Sequence, residues 1–343
     1  MYKKGERVMQ TEHNIKLTSS EVAQLWSGYM NSSLCNCLFT YFLEIVEDTQ
    51  IKAMIEKGMR LSREHLQKMN TIFTNEGYPV PCGFNVKEDV NLHAPRLFSD
   101  PFILYFIHHM GEMALGFYPI AKTICSRTDI QEYFSTCLHE LDEYDTLATN
   151  LLLSKGLYIR SPHINPSEEV RFVKNEHFLA GWFGRRKTLT VMEISNLVVN
   201  MQRNALGKAA MIGFSQVATS KEVREFMLRG KQIAEKHINV FGESLKESDL
   251  PVPMGWESGI TSSQVAPFSD KMMMFMTTAL IGLSIGFYAT SMATCFRKDV
   301  SLNYMRLSAE IAEFADDGAK LMIKNGWLEE PPLSDDRDRL AKK

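Results

Sequence analysis

The chain has 343 residues, of which 45% are hydrophobic and 23% charged, and its formal net charge is −3. Such a chain has room for two domains and the composition of a soluble globular protein. The small net charge and dispersed basic residues give no electrostatic reason to expect binding to nucleic acid. Six cysteines without a CxxC spacing indicate reduced thiols and a reducing compartment.

The first eight residues are a polar tail, and we expect no signal peptide because the first apolar stretch comes well after this polar start. Lys4-Gly5-Glu6-Arg7 is what a translated purine-rich ribosome-binding site would look like. Synthesis could therefore begin at Met9 instead of Met1. The N-terminal mass of the native protein distinguishes these two starts.

The first predicted helix begins at Thr18 and runs to about Glu47. Thr18 and Glu21 have the spacing of a capping box, which satisfies free N–H groups at a helix start. Asp48 offers the N-cap of a second helix after a short turn. This second helix has an interior seam, because apolar and small residues alternate at spacings of four and three. They are Ile51, Ile55, Gly58, Ser62, His65, Met69 and Ile72.

A connection rich in proline and glycine follows, from about residue 78 to residue 97. Phe98-Ser99-Asp100-Pro101 predicts the start of a third helix that ends near Ser126. Asp129 is the predicted cap of a fourth helix, which ends at Gly156. Strand patterns are missing. One long crossover between the middle pair of four helices is typical of the ferritin-like four-helix bundle.

The whole pattern occurs twice. Thr18, Glu21, His65 and Pro79-Val80-Pro81 recur 172 positions later, as Thr190, Glu193, His237 and Pro251-Val252-Pro253. Phe98-Ser99-Asp100, Gly116-Phe117-Tyr118, Arg127, Asp129 and Glu140 recur 170 positions later, as Phe268-Ser269-Asp270, Gly286-Phe287-Tyr288, Arg297, Asp299 and Glu310. We therefore predict an all-α fold of two tandem ferritin-like bundles that arose by internal duplication. The predicted bundles span residues 9–160 and 188–335, with a packed linker at 161–187 and tails at 1–8 and 336–343.

The third helix of the second copy contains no charge from Met272 to Phe296, a length that could span a membrane. Its counterpart in the first copy, 102–126, contains charged and titratable residues, and two homologous helices rarely divide between lipid and water. We therefore expect no membrane insertion. An apolar helix of this kind predicts burial between the bundles or a homodimer interface. At such an interface, Gly286→Leu should disrupt assembly or folding.

A ferritin-like bundle raises the question of a di-metal site, which needs Glu-x-x-His on two helices. That motif occurs in neither copy. Both copies instead keep one seam histidine and one glutamate on the fourth helix. The candidate metal ligands are therefore His65, Glu140, His237 and Glu310. These residues fit a single-metal or small-ligand pocket in each bundle, with Fe, Mn or Zn as the metal. They also fit a buried histidine that bonds a glutamate or tyrosine and fixes the helix register.

Two further groups of residues have alternative interpretations. His108, His109 and Glu112 have helical spacing that fits either a metal cluster or a solvated or interface face. Cys35 and Cys37 suggest redox chemistry, but residues two apart on a helix face different sides, which favours buried free thiols. Nucleotide-binding and serine-hydrolase motifs do not occur.

Several motifs resemble an uncharacterised family of spore-forming Bacillus-type bacteria. They are Thr11-Glu12-His13-Asn14, the duplicated proline crossover, Gly181-Trp182-Phe183-Gly184, Lys155-Gly156-Leu157 and Asn325-Gly326-Trp327. Members of this family are tandem ferritin-like proteins of unknown function, and some carry a spore coat label. The resemblance extends over nearly the whole chain from about Met9.

This resemblance implies a non-enzymatic structural or interaction protein, associated with the spore coat and with coat or other protein partners. The reduced thiols and the expected lack of a signal peptide or membrane helix predict a cytoplasmic protein, in the mother cell or the spore. We expect no cofactor. The alternative is a ferritin-like protein that binds a metal or small molecule in one polar His/Glu pocket per bundle.

Overall fold

The computed structural model describes residues 15–179 and 187–342, and within these ranges the chain is helical without strands. The proposed start at Met9 and the motifs at 11–14 and 181–184 lie outside the described residues. The helices of the first repeat are α1 (Ser19–Ile45), α2 (Thr49–Asn75), α3 (Val86–Asp89), α4 (Asp100–Ile124) and α5 (Thr128–Ser154). Those of the second repeat are α6 (Val191–Val217), α7 (Lys221–Lys246), α8 (Asp270–Ala293), α9 (Lys298–Lys324) and α10 (Arg337–Ala341).

Local signals set most helix ends where the sequence predicts them. Thr18 and Glu21 form a capping box at the start of α1, and α6 begins with the same arrangement. Gly77 follows α2 with a φ of 73°, which a residue with a side chain adopts only with strain. The predicted cap of the fourth helix is wrong by two residues. Arg127 is the N-cap of α5, and Asp129 lies in the first turn, where it pairs with Arg127 at 2.7 Å.

Each repeat packs four long helices against one another. In the first repeat α1 lies beside α2 and α4 beside α5, and the two pairs meet through α1–α4 and α2–α5 contacts. The helices α6 to α9 repeat these contacts in the second repeat. The long crossover between the second and third long helices is present in both. The predicted all-helical fold in two tandem repeats is therefore confirmed.

The two crossovers contact each other where the repeats meet. The main-chain N–H of Ser99 donates to the Gly259 carbonyl at 2.8 Å, and the N–H of Ser269 donates to the Asp89 carbonyl at 2.9 Å. Each residue of the first bond lies 170 positions from its counterpart in the second. A second such pair joins Asn91 to Pro267 and Thr261 to Leu97. The repeats are thus related by an approximate two-fold axis through this junction.

Aromatic side chains fill the junction around these hydrogen bonds. Tyr105 of the first repeat stacks on Trp256 of the second, with ring centroids 4.2 Å apart. Tyr41 meets Phe268 edge to face at 5.1 Å. One hydrophobic core includes residues of both repeats, so apolar burial holds the repeats together as one unit.

Helix α8 is, among the described residues, the one helix long and apolar enough to cross a membrane. Core helices of soluble proteins pass the same test of length and composition. The buried methionines of α8 all lie in its first two turns. Phe275 packs on Phe84 of the first repeat at 5.0 Å, so this part of α8 lies between the repeats. Gly286, farther along, is exposed, and a Cβ there would meet no atom within 4 Å. Gly286 is therefore not a packing position within the chain.

Most residues in the described part of the linker are exposed. Residues 163–176 are exposed, including Phe172 with 85% of its surface accessible, so the prediction of a packed linker is wrong for this stretch. Farther along, Phe178 contacts Phe296 edge to face at 5.4 Å, and the Lys187 ammonium lies 3.2 Å from the Phe178 ring centroid. These contacts attach the end of the linker to the second repeat.

Candidate functional site

The first candidate site lies inside the first repeat, where α2 faces α4 and α5. His65 Nε2 is 2.8 Å from Glu140 Oε2, and His65 Nδ1 is 3.4 Å from the Tyr118 hydroxyl. His65 is buried, whereas the Glu140 carboxylate reaches towards solvent with 30% of its side chain exposed. The structure therefore brings together the two ligand candidates of the first repeat.

The second repeat contains the same arrangement. His237 Nε2 is 3.1 Å from Glu310 Oε2, and His237 Nδ1 is 2.9 Å from the Tyr288 hydroxyl. The other oxygen of Glu310 accepts a bond from the Lys236 ammonium at 2.8 Å. Burial lowers the pKa of His237 below its ordinary value, and this outweighs the opposite effect of Glu310. The buried imidazole therefore favours its neutral form.

Small residues lie one and two turns before each histidine, where they would leave space beside the imidazole if no neighbouring side chain filled it. The structure instead fills the space at Gly58 with aromatic rings from neighbouring helices. A Cβ on Gly58 would lie 2.5 Å from the Tyr144 hydroxyl and 2.9 Å from the Phe39 ring. Gly230 is covered in the same way by Phe314. Both glycines therefore allow close helix packing.

The first repeat has two side chains beside its histidine that the second repeat lacks. Ligand atoms of His65, Cys137 and Glu140 all lie within 4.8 Å of one another, and this is the one such group among the described residues. Burial raises the pKa of Cys137 to about 12. Tyr133 packs edge to face on His65 at 6.3 Å, and its buried hydroxyl interacts with the Cys137 thiol.

Cys137 and Tyr133 differ between the two copies, so the repeated residues do not mark them. The second repeat has Leu307 and Asn303 at their positions, 170 residues later. One sequence signal could have found the cysteine. Cys137 and Glu140 are three residues apart, which places both on one face of a helix.

His108, His109 and Glu112 lie on α4 at the junction, which agrees with the interface interpretation. Both histidines are buried. His108 Nδ1 is 3.0 Å from Asp145 Oδ1, and His109 Nδ1 is 3.1 Å from Glu112 Oε2. Arg203 of the second repeat approaches Glu112 at 3.9 Å. Burial lowers the pKa of His109 despite its bond to Glu112, so this histidine favours the neutral form.

A cavity of about 70 Å³ opens beside this group, inside the second repeat. Gly207 lines it, and a Cβ at this position would meet no atom within 4 Å. Its lining is largely apolar, with Arg203 and His109 on one side. The cavity is much smaller than typical ligand pockets of about 300–1,000 Å³.

All six cysteines lie in the described ranges and are free thiols. Cys37 is buried and Cys35 is half-buried. Burial raises the pKa of each to about 12, which keeps both thiols protonated and unreactive.

Comparison with known proteins gives one family and one solved structure. No curated protein matches the chain. The solved structure is described as a "putative spore coat protein" from Bacillus halodurans C-125; it is 16% identical, with 44% of this chain and 98% of that chain covered and a TM-score of 0.40. The family described as "Protein of unknown function (DUF3231)" matches residues 7–170 and again residues 177–340. The chain therefore belongs to the DUF3231 family and carries two copies of its domain in tandem.

Proposed function

We propose that this chain is a non-enzymatic structural or interaction protein, in which two ferritin-like four-helix bundles form one rigid unit. The ferritin-like assignment is supported by the long crossover between the second and third long helices of each repeat. The observation that carries the functional proposal is the two-fold junction between the repeats. Such a junction makes one stiff body out of two domains, as a building block requires.

Polar contacts reinforce the junction on one side of its axis. The Glu329 carboxylate, which follows the last long helix, accepts bonds from the N–H groups of Cys82 and Gly83 at 2.9 and 3.0 Å. The Lys271 ammonium donates to the Gly83 carbonyl at 3.0 Å. Both contacts join the second repeat to the crossover of the first. They order a loop that a single bundle would leave free.

Outside the junction, apolar side chains remain exposed on the long helices. They include Ile120 and Ile124 at the end of α4 and Ile323 at the end of α9. Scattered exposed apolar residues are normal for soluble proteins. We propose that partners, which include coat proteins or other proteins, bind outer surfaces such as these.

We further propose that the protein acts at the forming spore. This setting rests on the resemblance of the sequence motifs to a family of spore-forming bacteria. A fluorescent fusion expressed during sporulation from its native promoter tests it. The fusion should surround the forming spore and stay with purified spores after salt washing. A signal that stays diffuse in the mother cell overturns the proposed setting.

A substitution at the junction tests whether the proposed structural role needs the two repeats to form a rigid unit. Trp256→Ala removes the stacked partner of Tyr105, whereas Phe172→Ala changes an exposed ring in the linker. We expect Trp256→Ala to lower the free energy of unfolding by about 3 kcal/mol and to weaken retention on the spore. Phe172→Ala should leave both unchanged. Equal retention of the two variants would contradict the structural role of the junction.

A further inference from the structure

We infer that the first repeat binds one zinc-like divalent metal ion through His65, Cys137 and Glu140, and that the second repeat binds none. This inference is independent of the structural role proposed above. The proposed ligands differ from the predicted ones in two ways. Cys137 is added, and His237 and Glu310 are left out. The ligand class is a transition metal that accepts sulfur, nitrogen and oxygen.

The geometry of the three ligand atoms fits one metal ion. They lie within 4.8 Å of one another. Zinc bonds of about 2.3 Å to sulfur and about 2.0 Å to nitrogen or oxygen place one sulfur and two nitrogen or oxygen ligands about 3.3–3.6 Å apart in tetrahedral geometry. His65 Nε2 and Glu140 Oε2, now at 2.8 Å, would separate by about 0.5 Å when a metal replaces their shared proton. Small side-chain rotations are sufficient for this change.

The surroundings suit a buried metal with an entry path. Cys137 and His65 are covered by protein, whereas Glu140 keeps 30% of its side chain exposed. Among the described residues, solvent therefore reaches the group from the Glu140 side. The Tyr118 hydroxyl lies 3.4 Å from His65 Nδ1, as an outer hydrogen-bond partner does when it orients a metal-bound imidazole.

Tyr133 adds a polar group beside the ligands. Only 7% of this residue is exposed, and its hydroxyl interacts with the thiol of Cys137, one turn later on α5. With a metal bound to the Cys137 sulfur, this hydroxyl would be an outer hydrogen-bond donor to a metal ligand.

The second repeat is an internal control for this site. Leu307 replaces the cysteine, Asn303 replaces the tyrosine, and the Lys236 ammonium bonds Glu310 at 2.8 Å. Only one imidazole and one carboxylate remain there as ligands. A nearby lysine also opposes the approach of a second cation. The same histidine–glutamate frame therefore provides a complete ligand set in one repeat only.

The ligand types select the metal. One thiolate, one imidazole and one carboxylate suit Zn²⁺, whereas Mg²⁺ and Ca²⁺ prefer oxygen ligands alone. Cys137 loses its proton to solvent when its sulfur binds the metal, so binding should release protons. Co²⁺ is a useful probe, because it takes the same tetrahedral ligands and its bond to a thiolate absorbs in the near ultraviolet.

The test is a Co²⁺ titration of the full chain, purified without an affinity tag and stripped with a chelator. We expect one Co²⁺ per chain, a thiolate-to-cobalt band, and loss of that band when Zn²⁺ is added. Cys137→Leu, which installs the residue of the second repeat, and His65→Gln should each remove the band. The matched control His237→Gln should keep it. Cys82→Ser, which removes the exposed cysteine, should also keep it.

Three results would overturn the inference. They are a wild-type protein without a stoichiometric band, a band that persists in Cys137→Leu, and a band lost in His237→Gln but kept in His65→Gln. If Cys137→Leu does not fold, Cys137→Ser keeps the side-chain size. That variant should lose the thiolate band and bind Zn²⁺ at least about tenfold more weakly, and unchanged Zn²⁺ affinity would equally overturn the inference.

Discussion

Glu21 connects the start of α1 to the turn between α4 and α5, so its charge should contribute measurably to stability. Its Oε2 accepts a bond from the Thr18 N–H at 2.7 Å, and its Oε1 accepts bonds from the N–H groups of Ser126 and Arg127 at 2.9 and 2.8 Å. Burial of the carboxylate raises its pKa, but these bonds together outweigh burial and lower the pKa of Glu21 to about 2.

The magnitude follows from linkage between protonation and folding. A pKa of about 2 instead of the ordinary 4.5 corresponds to about 3 kcal/mol of stability at neutral pH. Solvent near the helix end screens part of this energy, so we expect Glu21→Gln to cost about 2 kcal/mol at pH 7. A lowered carboxyl pKa stabilises fully above pH 4.5. The cost of the substitution should therefore shrink as the pH falls from 4.5 towards 2.

Urea unfolding followed by circular dichroism at neutral and acidic pH measures this cost. Glu44→Gln is the matched control, because Glu44 is an exposed carboxylate on the same helix. The reasoning is refuted if both variants agree within about 0.5 kcal/mol at pH 7. It is also refuted if the difference between them does not change with pH.

Three further predictions concern glycine packing, assembly and pH. Gly58→Ala should destabilise the chain by about 2 kcal/mol, because its Cβ would press on the Tyr144 hydroxyl. The control Gly116→Ala has open space around its Cβ and should not destabilise the chain. Equal thermal midpoints of the two variants would contradict this packing. Gly286→Leu should fold normally and gain up to about 1 kcal/mol of stability. If this variant is a smaller particle than the wild type in analytical ultracentrifugation, the result supports the predicted homodimer through residues 272–296. An unchanged particle size would exclude a contact at Gly286. Because burial lowers the pKa of His237, the unfolded chain binds its proton first, so stability should fall as the pH drops below 6.5. In urea titrations between pH 5 and 7, His237→Gln should weaken this fall, and an unchanged slope would contradict it.

The sequence predicted features that depend on local signals. The Thr18–Glu21 capping box sets the start of α1 within a few residues, so its pattern is visible without tertiary structure. The seam spacing placed His65 on the inner face of α2, and the recurrence of Glu140 as Glu310 marked the carboxylate that lies 2.8 Å from His65. Duplication of each signal strengthened the prediction of helix order. These elements need only near neighbours to be recognised.

Features that depend on distant residues could not be predicted. The bonds from Glu21 to Ser126 and Arg127 join positions more than 100 residues apart, and no local pattern encodes them. Gly58 carries no sign of whether the space beside it is empty or filled by an aromatic ring. His108 and His109 have a spacing that also fits a solvated face, yet both are buried. Each case required the packing of α4 or α5 against another helix.

Positions that are identical in the two repeats and positions that differ give different information about function. Identical residues, such as His65 and His237 with their glutamates, identify what the fold itself uses, because the same packing constrains both copies. A binding role needed by only one copy must instead appear as a difference at a shared interior position. Cys137 against Leu307 and Tyr133 against Asn303 are such differences, and both lie beside the shared histidine. A duplicated core therefore locates a candidate site most sharply where a conserved polar frame gains new ligands in one copy alone.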